Sequence, residues 1–278
     1  MRTTLHPWRL LCAALLLLAA HAHGQNGPQL KHRLFVYWGY NRAQYSRSDI
    51  RLTGNGYDFT LAEVAAKDRP EPFSLGGYFN PKTIWIPQYN YRAGWFLNDR
   101  WSLSLGLDHM KYVVANGQNV AIHGTISRER SEAHALADGS SEVRLSPDFL
   151  AYEHTDGLNL LSVDADRYHL LWAGRSGKQA LYFTEGAFAG AVIPRTEVHL
   201  FGEGLNNQFH LAGYGVGAQA GLFAVAADRL FLRAQVRGGF INLPSVLTTG
   251  KTGERARQHF WFLEENVVLG VLIGRTAG

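Results

Sequence analysis

Alternation of apolar and polar residues runs through most of the chain and is clearest from Phe209 to Ile241. Leu230, Leu232, Ala234, Val236 and Phe240 fall on one face of an extended segment, and Arg233, Gln235, Arg237 and Gly239 fall on the other. This is the period-two signature of a strand. Ahead of it, Ala212, Tyr214, Val216, Ala218, Ala220 and Leu222 alternate with Gly213, Gly215, Gly217, Gln219 and Gly221, and the short turn Ala227-Asp228-Arg229 joins the two arms. Each arm exceeds the usual strand of about 5–6 residues and matches the roughly 9–11 tilted residues that cross a bilayer. The pair reads as a membrane-spanning hairpin.

The same alternation places a first strand over Arg33 to Asn41, followed by an irregular segment from Arg42 to Lys82. One strand-like piece in that segment, Tyr57 to Val64, reads as a loop hairpin rather than a spanning strand. Thr83 to Leu97 is the second spanning segment, with Pro87 at its end or edge, and Asn98-Asp99 turns it into Arg100 to Val113. Ala115 to Gly157 reads as irregular, with a helical turn around Ser131 to Ala137 and a short strand around Phe149 to Glu153. Leu158 to Ala173 and Gln179 to Ile193 flank the polar turn Gly174 to Lys178. Pro194 to Gln208 and Asn242 to Ala256 are loops, and Arg257 to Gly274 is the last strand.

Eight spanning strands result, with ten as the alternative if Tyr57 to Val64 and Phe149 to Glu153 are recruited; those two are expected to extend the wall above the membrane. Short turns follow strands two, four and six, and long loops follow strands one, three, five and seven. Outer-membrane barrels have this asymmetry, with short turns in the periplasm and long loops outside. The expected fold class is therefore all-β, a transmembrane antiparallel up-and-down β-barrel. On strict alternation Glu265 falls on the apolar face of the last strand, where a carboxylate is costly, so a bulge is expected there to restore the phase. Trp38, Trp85, Trp95, Trp101, Trp172 and Trp261 lie towards strand ends, as aromatic girdles at both interfaces require.

Export sharpens this picture. Arg2 and Arg9, the apolar run Leu10 to Ala20 and the small residues Ala22 and Gly24 read as a secretory signal over residues 1–24. Residues 25–278 then form one barrel domain of the bacterial outer membrane. Cys12, the only cysteine, lies in the removed segment, which excludes thiol catalysis and disulfides. Removing Arg2 and Arg9 leaves 25 basic residues against 23 acidic ones. No basic helix or nucleic-acid motif accompanies that balance, so nucleic-acid binding has no support. No later stretch approaches the roughly 20 apolar residues of a spanning helix.

Candidate chemistry falls into three groups. Arg92, Arg233 and Arg237 share the assigned inward faces with Asp108, Asp164, Asp166 and Glu264. The lumen of an eight-stranded barrel is about filled by side chains, so these charges are expected to pair as a plug; a proton- or substrate-handling site is the sharper reading. For Arg233 and Arg237 the expected partners are acids of neighbouring strands, Glu264 first. The second group is Glu153-His154-Thr155-Asp156-Gly157 near the outer rim, where Glu153, His154 and Asp156 would serve acid–base catalysis, with Ser140 or Ser162 as nucleophile. Against that, neighbouring strand residues face opposite ways and Asp-Gly is first a turn signal. Asp156, Asp164 and Asp166 would suit a hard cation, yet they lack the spacing of a known loop, so neither metal nor cofactor is expected. The third group, Tyr57-Asp58-Phe59 with Lys67, Asp68 and Arg69, would form a rim for lipopolysaccharide phosphates or an external partner, or a solvated face. His199, His210 and His259 are scattered, with no metal spacing.

Taken together, the chain resembles small bacterial outer-membrane barrels of the OmpA and OmpX type and lipid A deacylases of the PagL type. That likeness is one of architecture; Tyr37-Trp38-Gly39-Tyr40-Asn41, Gly56-Tyr57-Asp58-Phe59-Thr60-Leu61 and Ile86-Pro87-Gln88-Tyr89-Asn90 look like stretches of uncharacterised barrels of this general kind, a resemblance that implies no function. The deacylase likeness would imply a Ser/His/acid site at the rim, but no matching motif is present and no catalytic residue transfers. The expected function is non-enzymatic: a barrel whose loops serve envelope integrity, adhesion or the binding of an unidentified extracellular ligand. The alternative is a hydrolase acting on lipid A or phospholipid at the outer rim. Expected partners are outer-membrane lipid, lipopolysaccharide and the barrel-assembly machinery.

Overall fold

A computed structural model describes residues 27–204 and 208–274; the stretch read as a secretory signal, with Cys12, lies outside the described residues. The chain runs through β1 (Leu34–Tyr45), β2 (Ser48–Gly54), β3 (Tyr57–Val64), β4 (Ala66–Lys67), the single helical turn α1 (Leu75–Tyr78), β5 (Tyr89–Asn98) and β6 (Trp101–Val114). It continues through β7 (Asn119–Ile126), β8 (Leu136–Arg144), β9 (Leu150–Ala173), β10 (Ala180–Val192), β11 (Glu197–Leu200), β12 (Gly213–Ala226), β13 (Leu230–Leu247) and β14 (Arg255–Ile273).

Eight strands close a ring in the order β1-β5-β6-β9-β10-β12-β13-β14. The ring is sealed where β14 pairs with β1, from Leu34 opposite Ile273 to Tyr45 opposite Phe262. Every ring pairing is antiparallel, so the barrel is up-and-down and has eight strands rather than ten. Short turns close one end, between β5 and β6, β9 and β10, and β12 and β13.

At the opposite, long-loop end the wall continues past the ring. β2 carries on the climb of β1 along β14, β3 returns beside β2, and β7 and β8 add to β3. β4 pairs with the end of β6, and β11 with the start of β9. Tyr57 to Val64 is thus a strand of this extension, and Phe149 to Glu153 falls at the start of β9.

Four expectations are corrected. Residues 131–137 form no helical turn, and the segment read as irregular carries the β7–β8 hairpin; Val120, Ile122 and Ile126 alternate and bury against the apolar face of β3. The second spanning strand starts at Tyr89 rather than Thr83, after Pro87. β13 runs on to Leu247, with its register shifting between Leu243 and Val246, around Pro244. No bulge occurs at Glu265. β14 alternates buried and exposed residues without a break, and its pairing with both β1 and β13 is continuous through Glu265, leaving no extra residue to form one.

Three layers of side chains fill the interior. Phe35, Tyr37, Phe96, Tyr168, Phe223 and Phe231 pack the short-turn end. Charged residues occupy the middle. A larger apolar core that includes Ile50, Phe59, Tyr112, Phe149, Tyr152 and Phe260 fills the long-loop end. The outer face is apolar: Leu34, Val36, Leu103, Leu105, Val163, Leu232, Val236, Val267 and Leu269 are all exposed. An apolar outside around a polar middle is the inverse of a water-soluble barrel and is the arrangement of a transmembrane one.

Candidate functional site

The middle layer is a network of three guanidinium and four carboxylate groups. Arg92 lies 3.0 Å from Asp108 and 2.9 Å from Asp164, and it donates to the Tyr37 hydroxyl at 2.8 Å. Arg237 meets Asp164 at 2.6 Å and Asp108 at 3.0 Å, while Glu264 stands 3.9 Å from its Nε. Arg233 binds Asp166 through both terminal nitrogens at 3.0 Å. Alternation aims these side chains inward from β5, β6, β9, β13 and β14. Charge this deeply enclosed needs such partners. Glu264 is directly opposite Arg237 in the strand register, yet the shorter contacts reach Asp164 on β9 and Asp108 on β6. Glu264 is therefore not the first partner of Arg237, and Arg233 does not meet it: long arginines reach across a narrow lumen rather than along the wall.

Above this layer lies a chain of neutral polar groups. Tyr112 donates to Gln258 Oε1 at 3.3 Å, Gln258 Nε2 donates to the Tyr152 hydroxyl at 3.1 Å and stands 3.4 Å from His154 Nε2, and His154 Nδ1 lies 2.9 Å from Thr196 Oγ1. His154 is fully buried. Burial, reinforced by the nearby His210, pushes its pKa down to about 3, so the imidazole is neutral.

The residues flanking His154 do not join it. Glu153 faces Arg69 at 2.9 Å and accepts from Thr155 at 2.8 Å, whereas Asp156 faces Arg195 at 3.3 Å. Ser162 donates to Asp164 inside the lumen, and Ser140 is exposed on β8. Asp156, at the long-loop end, is likewise apart from Asp164 and Asp166. In the third group, Tyr57 and Phe59 turn into the apolar core instead of forming a rim, because alternation leaves only Asp58 outside, paired with Arg51 at 2.7 Å. Asp68 accepts from the backbone of Ala43 at 3.0 Å. His199 lies near Glu197, His210 accepts from the Leu247 amide, and His259 packs on Phe240, so the structure does not bring these histidines together.

An open groove lies outside the barrel. The segment around α1 crosses the outer face of β1, held where the Tyr40 hydroxyl donates to the Tyr78 carbonyl and Arg42 Nη2 donates to the Tyr78 hydroxyl at 2.8 Å. Ser74 caps the turn by accepting from the Gly77 amide at 3.0 Å. Between this segment and the wall made by β12, β13 and β14 runs an apolar groove of about 980 Å³, with Arg42 and Glu265 in its lining. Phe73, Leu75 and Phe79 project from the segment with their rings and side chains exposed.

No protein-family model matches this sequence, and no curated protein matches it. Among solved structures, the outer membrane protein OprG from Pseudomonas aeruginosa is similar at 10% identity and a TM-score of 0.42, over 90% of this chain and 100% of that one. The attachment invasion locus protein Ail of Yersinia pestis, in complex with the heparin analogue sucrose octasulfate, is similar at 10% identity and a TM-score of 0.28, over 86% and 99%. The outer membrane protease OmpT from Escherichia coli is similar at 8% identity and a TM-score of 0.28, over 88% and 98%. The barrel described above rests on its own closed ring of strand pairings, not on these likenesses.

Sequence reasoning missed the groove. Its far wall comes from Phe73 and Phe79, in the segment read as irregular, and from Ile84, in the stretch read as the start of a spanning strand. The one available signal was Glu265, a carboxylate out of place on an apolar face.

Proposed function

We propose that the chain is a bacterial outer-membrane barrel, closed to solutes and non-enzymatic, that acts at the cell surface through its extension beyond the membrane. The observation that carries this reading is the lumen, where an aromatic layer, a paired charged layer and an apolar core follow one another from end to end. Side chains packed to this extent leave the barrel a pin rather than a pore. The short turns then face the periplasm and the long loops the exterior. Work at the surface falls to β2, β3, β7 and β8, of which β8 ends the extension, paired among the described residues only with β7. Such an edge offers backbone donors and acceptors to a partner. Export through residues 1–24 and insertion by barrel-assembly machinery belong to the same reading. A rim hydrolase has less support, since His154 is enclosed and Glu153 faces away from it.

Refolded protein is expected to migrate in a heat-modifiable way on gels, to fractionate with outer membranes and to give no stepwise conductance in planar bilayers. Recovery as a soluble periplasmic monomer would overturn the membrane placement, and ion-conducting steps would overturn the closed lumen. Fatty-acid release from lipopolysaccharide by the purified barrel would reinstate the hydrolase.

A further inference from the structure

We propose that the groove outside the barrel holds one acyl chain of a zwitterionic phospholipid with a primary ammonium head group, its phosphate on Arg42 and its ammonium on Glu265. The inference rests on the membrane placement proposed above.

Arg42 and Glu265 are register partners on β1 and β14. Arg42 donates to the Asn41 carbonyl and to the Tyr78 hydroxyl, both neutral. Glu265 is exposed and, among the described residues, makes no hydrogen bond or ion pair. Two opposite charges thus stand side by side on the outer face: Arg42 lies in the field of Asp68, while Glu265 has no charged partner among the described residues. Towards the short-turn end the same face is Val267, Leu269, Leu232 and Ala234, the belt that lipid covers. A bare carboxylate on that apolar face, with exposed Leu263 on one side, Val267 on the other and Val236 opposite, is unfavourable, and a ligand carrying both a phosphate and an ammonium neutralises the two charges together.

The groove continues below these charges. Ala220 and Ala234 give it a shallow floor, and Phe73, Phe79 and Ile84 make the far wall. Its volume falls within the range of small-molecule sites. The exposed side chains of Phe73, Leu75 and Phe79 place that wall at the level of acyl chains. Charge selects among lipids: an anionic lipid suits Arg42 but is repelled by Glu265, and a trimethylammonium head has no N–H to donate to a carboxylate.

The test uses the full barrel in mixed micelles, with retained lipid read by native mass spectrometry against phosphatidylethanolamine, phosphatidylcholine, phosphatidylglycerol and lipid A. Phosphatidylethanolamine is expected to be retained about tenfold over phosphatidylglycerol, the effect of one charge-assisted contact. Glu265→Gln should erase that preference, Arg42→Gln should weaken retention of all four lipids, and Ala234→Trp should block the groove for all. Leu103→Trp, elsewhere on the outer face, should change nothing. Equal retention of every lipid, a preference for lipid A, or indifference to Ala234→Trp overturns the proposal. Heat-modifiable migration is read on each sample. A barrel that fails to insert sinks the membrane placement and this proposal with it, whereas an inserted barrel without lipid preference sinks this proposal alone.

Discussion

Arg233 and Asp166 form a two-pronged ion pair in the lumen, with both hydrogen bonds at 3.0 Å and neither side chain more than 2% exposed. Among the described residues no other carboxylate pairs with Arg233, and Asp166 has one further donor, Gln219 Nε2 at 2.6 Å. Arg233→Met leaves the carboxylate buried without its cation and is expected to cost about 3–5 kcal/mol in urea unfolding of the inserted barrel. The double variant Arg233→Met with Asp166→Leu removes both charges and should recover most of that loss. A double variant no more stable than Arg233→Met alone would mean the pair is not coupled.

Arg237 is shared differently. Asp164 and Asp108 hold it closely, and Glu264 stands off at 3.9 Å. With four carboxylates against three guanidinium groups, Glu264 is the surplus charge. Its Oε1 accepts from Asn90 at 2.5 Å and Asn266 at 3.2 Å, contacts that a glutamine carbonyl would keep. Glu264→Gln should therefore be neutral or mildly stabilising. Asp164→Asn takes a charge from both Arg92 and Arg237 and should cost about 2–3 kcal/mol. Equal losses for the two variants in unfolding midpoints would contradict this ranking.

The alternation that placed Arg233, Arg237, Asp164 and Asp166 inward is a local property of the chain, so the ring and the charged layer were legible in sequence. Which acid meets which arginine was not, because it depends on the width of the lumen and on contacts between strands far apart in sequence. The β7–β8 hairpin escaped for a related reason: Val120, Ile122 and Ile126 alternate only briefly, and the face of β3 that buries them lies far back in the chain. The groove depends on Tyr78 docking on Tyr40 and Arg42, a contact without any periodic trace.

The turn between β12 and β13 puts two non-glycine residues in the left-handed region, Ala227 at φ 50° and Asp228 at φ 65°. A left-handed pair matches the strand twist of a tight hairpin, and Arg33 steadies it by donating to Asp228 Oδ1 at 2.9 Å and to the Asp228 carbonyl at 2.7 Å. Ala227→Gly relieves a steric cost and should stabilise the barrel by about 0.5–1 kcal/mol. Arg33→Ala removes a charge-assisted clamp and should destabilise it by about 1.5–3 kcal/mol. Thermal shifts of the gel-migration transition report both, and a loss on Ala227→Gly would show that the turn carries no strain.

His154 makes stability depend on pH. Its folded pKa, about 3, lies below the ordinary 6.5, so on acidification the unfolded chain takes up a proton that the folded barrel refuses. The stabilisation is complete above about pH 6.5 and falls by about 1.4 kcal/mol for each pH unit below it. By pH 5 the loss is about 2 kcal/mol. His154→Gln keeps a neutral partner for Thr196 and does not titrate, so between pH 7 and pH 5 it should lose about 2 kcal/mol less than the native chain. Other groups titrate alike in both proteins, which makes the difference between the two unfolding profiles the quantity to measure. Parallel profiles would mean that His154 is not held neutral by its enclosure.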